Sequence, residues 1–212
     1  MNMTNEGMKD YAFSKLSKGE KTKLRILEGA VVCIVKHGFE GASITELTEA
    51  SGVNRTSINH YFQSKDALID ETFPFVMMGG RAFTNNFMNG RGDISDLIFR
   101  YAQATMAWFR EYPLHGSFLY LCMQKATYDS KMKAKINDHF KKSHHRLQTL
   151  IKGRIPNGTT AKEKAVAEQI HGVLVGLMLS SSNLDAKMIP VYEKHCLDII
   201  SAIVKYWKLI DL

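Results

Sequence analysis

The sequence predicts an all-α protein: a three-helix helix-turn-helix unit followed by a larger helical domain, with about nine helices in total. Long stretches place apolar residues at i, i+3, i+4 and i+7, and none shows the sustained alternation of a strand. The 212 residues include only four prolines: Pro74, Pro113, Pro156 and Pro190. Short capped segments come first and longer ones follow, with the change near residue 65.

The first helix is predicted from Glu20 to His37, where Gly38 supplies a left-handed stop. Residues 1–18 have a weaker pattern and are expected to form a poorly ordered extension. An apolar stripe follows one face of the helix and consists of Leu24, Leu27, Val31, Ile34 and Val35.

Side-chain caps mark the next three helix starts. Ser43 caps the second helix, and Glu46 three residues later completes a capping box. That helix ends at Gly52, after which Asn54 caps a short third helix and Ser64 caps a fourth. Glycines interrupt the pattern at Gly79-Gly80 and within residues 89–92. Further helices are predicted at 94–111, 114–127, 130–153, 160–184 and 187–209.

Composition and charge narrow the function classes. Hydrophobic residues make up 45% and charged residues 23%, which excludes a mainly disordered chain. The three cysteines lie far apart and predict neither a disulfide framework nor a metal knuckle. The longest apolar run, at 172–179, is too short to span a bilayer, and no secretory leader pattern opens the chain. We therefore expect a soluble, cytoplasmic protein without a membrane partner.

The net charge of +7 is unevenly distributed. Residues 1–65 hold nine Lys/Arg and seven Asp/Glu, whereas residues 131–154 hold eight Lys/Arg and one Asp. A solvated helix face is the favoured interpretation of 131–154, with a stripe that follows phosphates as the alternative. The bulk charge therefore does not mark the helix-turn-helix.

The segment from Ser43 to Phe62 has the form of a helix-turn-helix, since two capped helices are joined by a turn containing Gly52. Ala50 is small, so the second helix is expected to cross closely. By this pattern alone, an αα-corner in an unrelated helical protein would serve equally well. The exposed side chains of the third helix can all form hydrogen bonds and none is acidic, which suits phosphates and base edges: Arg55, Thr56, Ser57, Asn59, His60 and Tyr61.

Residues 21–69 resemble the tetracycline-repressor (TetR) family of bacterial transcriptional regulators. The family pattern I-L-x-x-A matches residues 26–30 and leads to Gly38, and the A-G-V turn matches Ser51-Gly52-Val53. The L-Y-x-x-F helix and the K-x-x-L pattern match residues 58–62 and 65–68. The resemblance implies a DNA-binding domain at 19–65 and a helical effector-binding and dimerisation domain at 66–212. It further implies a homodimer that binds double-stranded DNA at a palindromic operator, most often as a repressor.

Roles of individual residues follow by matched position. The resemblance places Arg55, Thr56, Ser57, Asn59 and His60 at the major groove or its walls. Backbone phosphates are expected at Ser43, Thr45, Tyr61 and Lys65, with Lys21 and Thr22 as weaker candidates. Asn59 stands where the family usually has tyrosine, and Thr56 where it often has glycine, so the operator sequence cannot be taken from relatives.

The last two helices are predicted to form the dimer interface, as the family resemblance implies for four-helix bundles. An apolar stripe lies beside a ridge of small residues that lets two helices approach closely, although the ridge could equally pack within one protomer. The interface residues are Val166, Ile170, Gly172, Val173, Gly176, Leu177, Ser180, Cys196, Ile199 and Ile203.

The middle of the chain is rich in large, soft side chains. Residues 73–128 hold 17 of the 32 Phe, Tyr, Trp and Met residues. Each is individually more typical of core, but together with the resemblance they predict a pocket for a small apolar or aromatic effector. The pocket candidates are Phe83, Tyr101, Trp108, Phe109, Tyr120, Met123, Gln124 and His171. Ligand binding would shift the fourth helix, with Gly79-Gly80 as a hinge or a plain helix terminus.

Enzyme motifs are not assembled in this sequence. Glu168-x-x-His171 has no second copy, as a di-iron site would require, and no P-loop or G-x-S-x-G pattern occurs. His139, His144 and His145 are expected to scatter around their helix. We therefore predict no catalysis, cofactor or metal. A TetR-like regulator that is controlled by a protein partner, or that lacks an effector, remains the alternative.

Overall fold

The computed structural model describes residues 16–88, 92–181, 185 and 187–209. These residues form nine helices and no strand, which confirms the predicted all-α class. The helices are α1 Lys18–Gly41, α2 Ile44–Ser51, α3 Arg55–Tyr61, α4 Lys65–Phe87, α5 Ile94–Glu111, α6 Pro113–Lys125, α7 Ser130–Ile151, α8 Thr160–Ser181 and α9 Ile189–Tyr206.

The chain divides into two compact units, one ending at Val76 and the other beginning at Met77. Helices α1 to α3 and the first half of α4 belong to unit 1, and the rest of α4 with α5 to α9 belongs to unit 2. Among the described residues, no helix is long and apolar enough to cross a membrane.

Helix α1 begins at Lys18, two residues before the predicted start. The Ser17 hydroxyl accepts a hydrogen bond from the Glu20 backbone N–H, and the Glu20 carboxylate accepts one from the Ser17 N–H. This capping box satisfies two of the unpaired donors at the helix start. Residues 1–15 of the expected amino-terminal extension lie outside the described residues. At the predicted stop the helix has a kink, at Gly38, whose φ of 71° favours glycine. The helix then continues for one further turn to Gly41.

Unit 1 has a small core where its four helices meet. It contains Ile26, Leu27, Ala30, Leu47, Val53, Ile58, Phe62 and Leu68. The close approach of α1 and α2 occurs at Gly29, where an added Cβ would lie 2.6–2.8 Å from atoms of Ser51. Ala50, which the sequence suggested for this crossing, is exposed. The expectation for Ala50 was therefore wrong, because the crossing depends on a glycine in the facing helix.

Unit 2 packs α8 at its centre, with α5, α6, α7 and α9 against it. Its core cluster combines Ile98 of α5, Leu147 of α7, Ile170 of α8 and Ile200 of α9, each almost completely buried. Pro190 is tolerated in α9 because it lies in the first turn, where its missing N–H has no helical partner.

Gly79 and Gly80 lie within α4, which continues to Phe87. The expectation that this pair interrupts the helical pattern was therefore wrong. Gly80 is buried, and a Cβ there would lie 2.9 Å from the Trp108 ring, whereas a Cβ at Gly79 would meet open space. Gly80 is thus a packing residue. Residues 89–91 of the second predicted break lie outside the described residues.

Candidate nucleic-acid interface

Helix α3 presents a polar face to solvent. The Asn54 side-chain oxygen accepts a hydrogen bond from the Ser57 N–H at 2.8 Å and so fixes the helix start. Ile58 is 1% exposed and anchors the opposite face in the core of unit 1. The side chains left exposed are those of Arg55, Thr56, Asn59 and His60, with Ser57 half-buried. The local fold thus brings these five side chains onto one short helix.

The start of α2 is held by the predicted capping box. The Ser43 hydroxyl accepts from the Glu46 N–H, and Glu46 accepts from the Ser43 N–H at 2.9 Å. These hydrogen bonds, side-chain first and then backbone, lower the pKa of Glu46, which also lies 3.1 Å from His37 Nδ1. The Ser43 N–H is consequently occupied, so its hydroxyl hydrogen and the exposed Thr45 are the donors that remain for a phosphate.

Lys65 stabilises the end of α1. Its ammonium donates a hydrogen bond to the Glu40 carbonyl at 3.0 Å, where a cation favourably offsets the negative end of the helix dipole. An ammonium has three donors, so this contact leaves donors for a phosphate.

A cleft of about 460 Å³ with polar lining residues lies between the start of α1 and helix α3. It is lined by Lys18, Gly19, Thr22, Thr56, Ser57, His60 and Tyr61. Thr22, a weaker sequence candidate, therefore lies at the cleft, while Lys18 is a lining residue that sequence reasoning missed. Tyr61 is half-buried and its ring meets that of His60 edge-on at 5.4 Å.

Two further residues that were not predicted hold the turn of the helix-turn-helix. Arg25 donates hydrogen bonds to the Ser51 and Gly52 carbonyls, at 3.1 and 2.9 Å. The buried Ser51 hydroxyl donates to the Leu47 carbonyl and accepts from the Val53 N–H. Gly52 has the left-handed φ of 61° that the sequence predicts.

The close approach of α1 and α2 at Gly29 was also not predicted. The signal available in the sequence was an isolated glycine inside the apolar pattern of α1.

In unit 2 the candidate pocket residues lie in different surroundings. Phe83, Trp108 and Phe109 belong to one series of ring contacts that also includes Tyr112 and His115. The Tyr120 hydroxyl accepts from exposed Gln124, Met123 is half-buried, and Tyr101 packs against the core cluster.

His171 lies instead beside His144, with 3.0 Å between His144 Nε2 and His171 Nδ1, and beside Phe140. One histidine of α7, His144, thus meets a histidine of α8, whereas His145 on the same helix is exposed. Among the residues that the structure describes, no group of three His, Cys, Asp or Glu could hold a metal ion.

The proposed dimer residues divide into two sets. Val166, Ile170, Leu177 and Cys196 are buried in the protomer's own core cluster, and Val173 and Ile203 pack against it. Gly172 and Gly176 are exposed with open space around them, Ser180 is half-buried, and Ile199 is 50% exposed.

The geometry of unit 1 defines a class: a helix-turn-helix domain that presents a capped polar helix. Residues 26–72 match the sequence profile of bacterial regulatory proteins, tetR family. These 47 residues, about a fifth of the chain, are therefore similar to the helix-turn-helix domain of that family.

A curated relative matches a short part of the chain. The chain is similar to the HTH-type transcriptional repressor AcnR of Corynebacterium efficiens, with 43% identity over 51 residues. These residues are 24% of this chain and 27% of AcnR, so the match spans about a quarter of that protein.

Solved structures resemble the chain over most of its length. A TetR transcriptional regulator from Chloroflexus aurantiacus has a TM-score of 0.75 at 16% identity, over 93% of this chain and all of that one. A transcriptional regulator from Saccharomonospora viridis in complex with choline has a TM-score of 0.72 at 15% identity, over 86% of this chain and 96% of that one. These likenesses show the fold.

Proposed function

We propose that the chain is a homodimeric, sequence-specific DNA-binding transcriptional regulator, in the form of a repressor released from a palindromic operator by a small apolar or aromatic effector. The polar face of α3 carries this proposal. Arg55 and Asn59 offer the donors that read guanine and adenine edges in a major groove, and no carboxylate of α3 would repel the phosphates. The AcnR match adds support because AcnR is itself a repressor.

A dimer is supported by the exposed surfaces of α8 and α9, which pack side by side. Gly172 and Gly176 stand four residues apart and leave room for a partner helix. On α9, Val191 and Ile199 are 41% and 50% exposed, so this helix offers apolar side chains to a partner. The proposed interface therefore narrows to the exposed glycines and these α9 residues, since the buried members of the predicted set support the protomer itself.

An effector is supported by the ring series around Trp108 and by the choline complex of the Saccharomonospora viridis protein, which shares the fold. A regulator controlled by a protein partner, or one without an effector, is the second candidate. Thermal unfolding distinguishes a regulator with a small-molecule effector from this second candidate, because a ligand that binds only the folded state raises Tm by mass action.

The test is selection of genomic DNA fragments bound by the purified protein at two salt concentrations. Wild type is compared with Asn59→Ala/His60→Ala, which removes two of the exposed hydrogen-bonding side chains of α3. Asn85→Ala/His145→Ala is the matched control, because it changes the same residue types at exposed positions of unit 2. We expect one short palindrome in wild type and control, and its loss in the α3 variant.

Binding that is blind to sequence, vanishes with salt and is equal in all three proteins would contradict the proposal. Such binding reflects phosphate attraction alone, because counterion release falls steeply with salt whatever the base sequence.

A further inference from the structure

A cavity of about 230 Å³, partly open to solvent, lies in unit 1 at the junction of its four helices. Its walls include Ala30 and Ile34 of α1, Leu47 of α2, and Ile58 and Phe62 of α3. All five of these side chains belong to the buried core of unit 1. The cavity shares no lining residue with the cleft beside α3.

The cavity is large for a domain of this size. An apolar cavity of about 150 Å³ in another protein stays dry and binds benzene, so this one has room for one or two rings. Small side chains at Ala30, Cys33 and Ala42 leave the space. Burial raises the pKa of the Cys33 thiol, with Glu46 as the next cause, so this part of the wall is neutral at pH 7.

The mouth of the cavity is polar. Ser43, Asn59, Gln63 and Ser64 line it and are exposed, so the cavity opens to solvent between α3 and the start of α4. Lys65 is the one charged residue among the described lining residues, and it is a cation. An apolar interior with a cationic, hydrogen-bonding rim is complementary to a hydrocarbon that ends in an anion.

We propose that this cavity binds a small apolar carboxylate, with its hydrocarbon body among the four helices and its carboxylate at Lys65 and Asn59. Occupation weakens DNA binding, because the bound anion engages donors expected to face DNA and adds negative charge beside the phosphates. This second step rests on the proposed function; the site itself does not.

Cysteine protection locates the site in the full-length protein. The probe is 2-naphthoate, and the readout is the rate at which iodoacetamide modifies each cysteine, resolved by mass spectrometry. Cys33 lines the cavity, whereas Cys122 and Cys196 belong to unit 2 and serve as internal controls. At ten times its Kd, 2-naphthoate is expected to slow modification of Cys33 about tenfold and to leave the other two rates unchanged.

Filling the cavity tests the same site by calorimetry. Ala30 is 1% exposed, so Ala30→Leu extends into the cavity and is expected to weaken 2-naphthoate binding at least ~10-fold. Ala50→Leu makes the same change at an exposed position of unit 1 and should bind like wild type. Ala30→Val replaces Ala30→Leu if circular dichroism shows that the larger side chain prevents folding. The neutral isostere 2-naphthamide is expected to bind more weakly than 2-naphthoate, because an uncharged amide cannot form an ion pair with the Lys65 ammonium.

The outcomes separate this site from the proposed function. Unchanged rates for all three cysteines, or protection of Cys122 and Cys196 alone, would overturn the site even in a protein that selects its DNA fragment. Protection of Cys33 in a protein that binds no DNA would support the site and overturn the proposed function. Equal DNA affinity with and without bound 2-naphthoate would overturn the coupling.

Discussion

At the scale of single residues, the contact between half-buried His144 and buried His171 is the feature with the clearest physical consequence. The rings of His144 and His171 meet edge-on with centroids 4.7 Å apart, and Phe140 lies against both. Burial, then the nearby His144, His139 and Arg146, lowers the pKa of His171 to about 3. Burial, then Arg146, lowers the pKa of His139 to about 4. The rings of His171 and His139 are therefore neutral in the folded protein at pH 7.

The lowered pKa values predict loss of stability in acid. In the unfolded chain a histidine has a pKa of about 6.5, so below that pH the unfolded state binds more protons than the folded state. The stabilisation is complete above about pH 6.5 and is lost toward pH 4 for His139 and pH 3 for His171. We expect His171→Gln to reduce the pH dependence of the free energy of unfolding by about 1.4 kcal/mol per pH unit between pH 6 and 4.

Urea unfolding of unit 2 at a series of pH values measures this effect. His145→Gln is the control, since His145 lies on the same helix as His144 but is exposed. A His171→Gln profile parallel to that of wild type would mean that His171 titrates alike in the folded and unfolded states.

At the scale of helices, the sequence predicted the caps and turns that depend on residues close together in the chain. Both capping residues of α2, the left-handed Gly52 and the Asn54 cap lie within four residues of the groups they bind. The pairs Gly29 with Ser51 and Gly80 with Trp108 could not be predicted, because the partners are more than 20 residues apart and the contact exists only after packing. The exposed face of α3 followed from its caps and one buried isoleucine, whereas the cavity of unit 1 depends on how four helices meet.

Two adjacent glycines of α4 are expected to respond oppositely to the same substitution. Gly79→Ala should raise stability by about 0.5–1 kcal/mol, because alanine is the better helix former and its Cβ meets open space. Gly80→Ala should lower stability by about 1–3 kcal/mol, because the new methyl group overlaps the buried Trp108 ring.

Chemical denaturation with the two single variants side by side is the measurement, and each variant is the other's control. Trp108 fluorescence should change in Gly80→Ala and not in Gly79→Ala. Equal stabilisation of both would show that the ring moves aside at no cost, and the close packing of α4 on α5 would then be unimportant for stability.

At the scale of the whole molecule, the proposed homodimer would present two copies of α3 to a palindrome. A helix of seven residues such as α3 has room for few base contacts, so one copy alone is expected to bind DNA weakly. Linking two such helices multiplies the affinity, provided that their spacing matches one turn of DNA. Dimerisation through α8 and α9 would supply this link.

A charge placed on the exposed surface of α9 is therefore expected to cost both dimerisation and DNA binding. Ile199→Asp should weaken the dimer by at least about 2 kcal/mol, roughly thirtyfold in Kd, because the carboxylate would be buried against a partner without a counter-charge. Leu114→Asp makes a similar change on α6, at a side chain that is 44% exposed, and should leave the dimer intact. Sedimentation equilibrium gives the association state, and titration of the selected DNA fragment gives the affinity. If Ile199→Asp remains dimeric, the partner surface lies elsewhere; if it becomes monomeric yet binds the palindrome as tightly as wild type, two linked reading helices are not what gives the affinity.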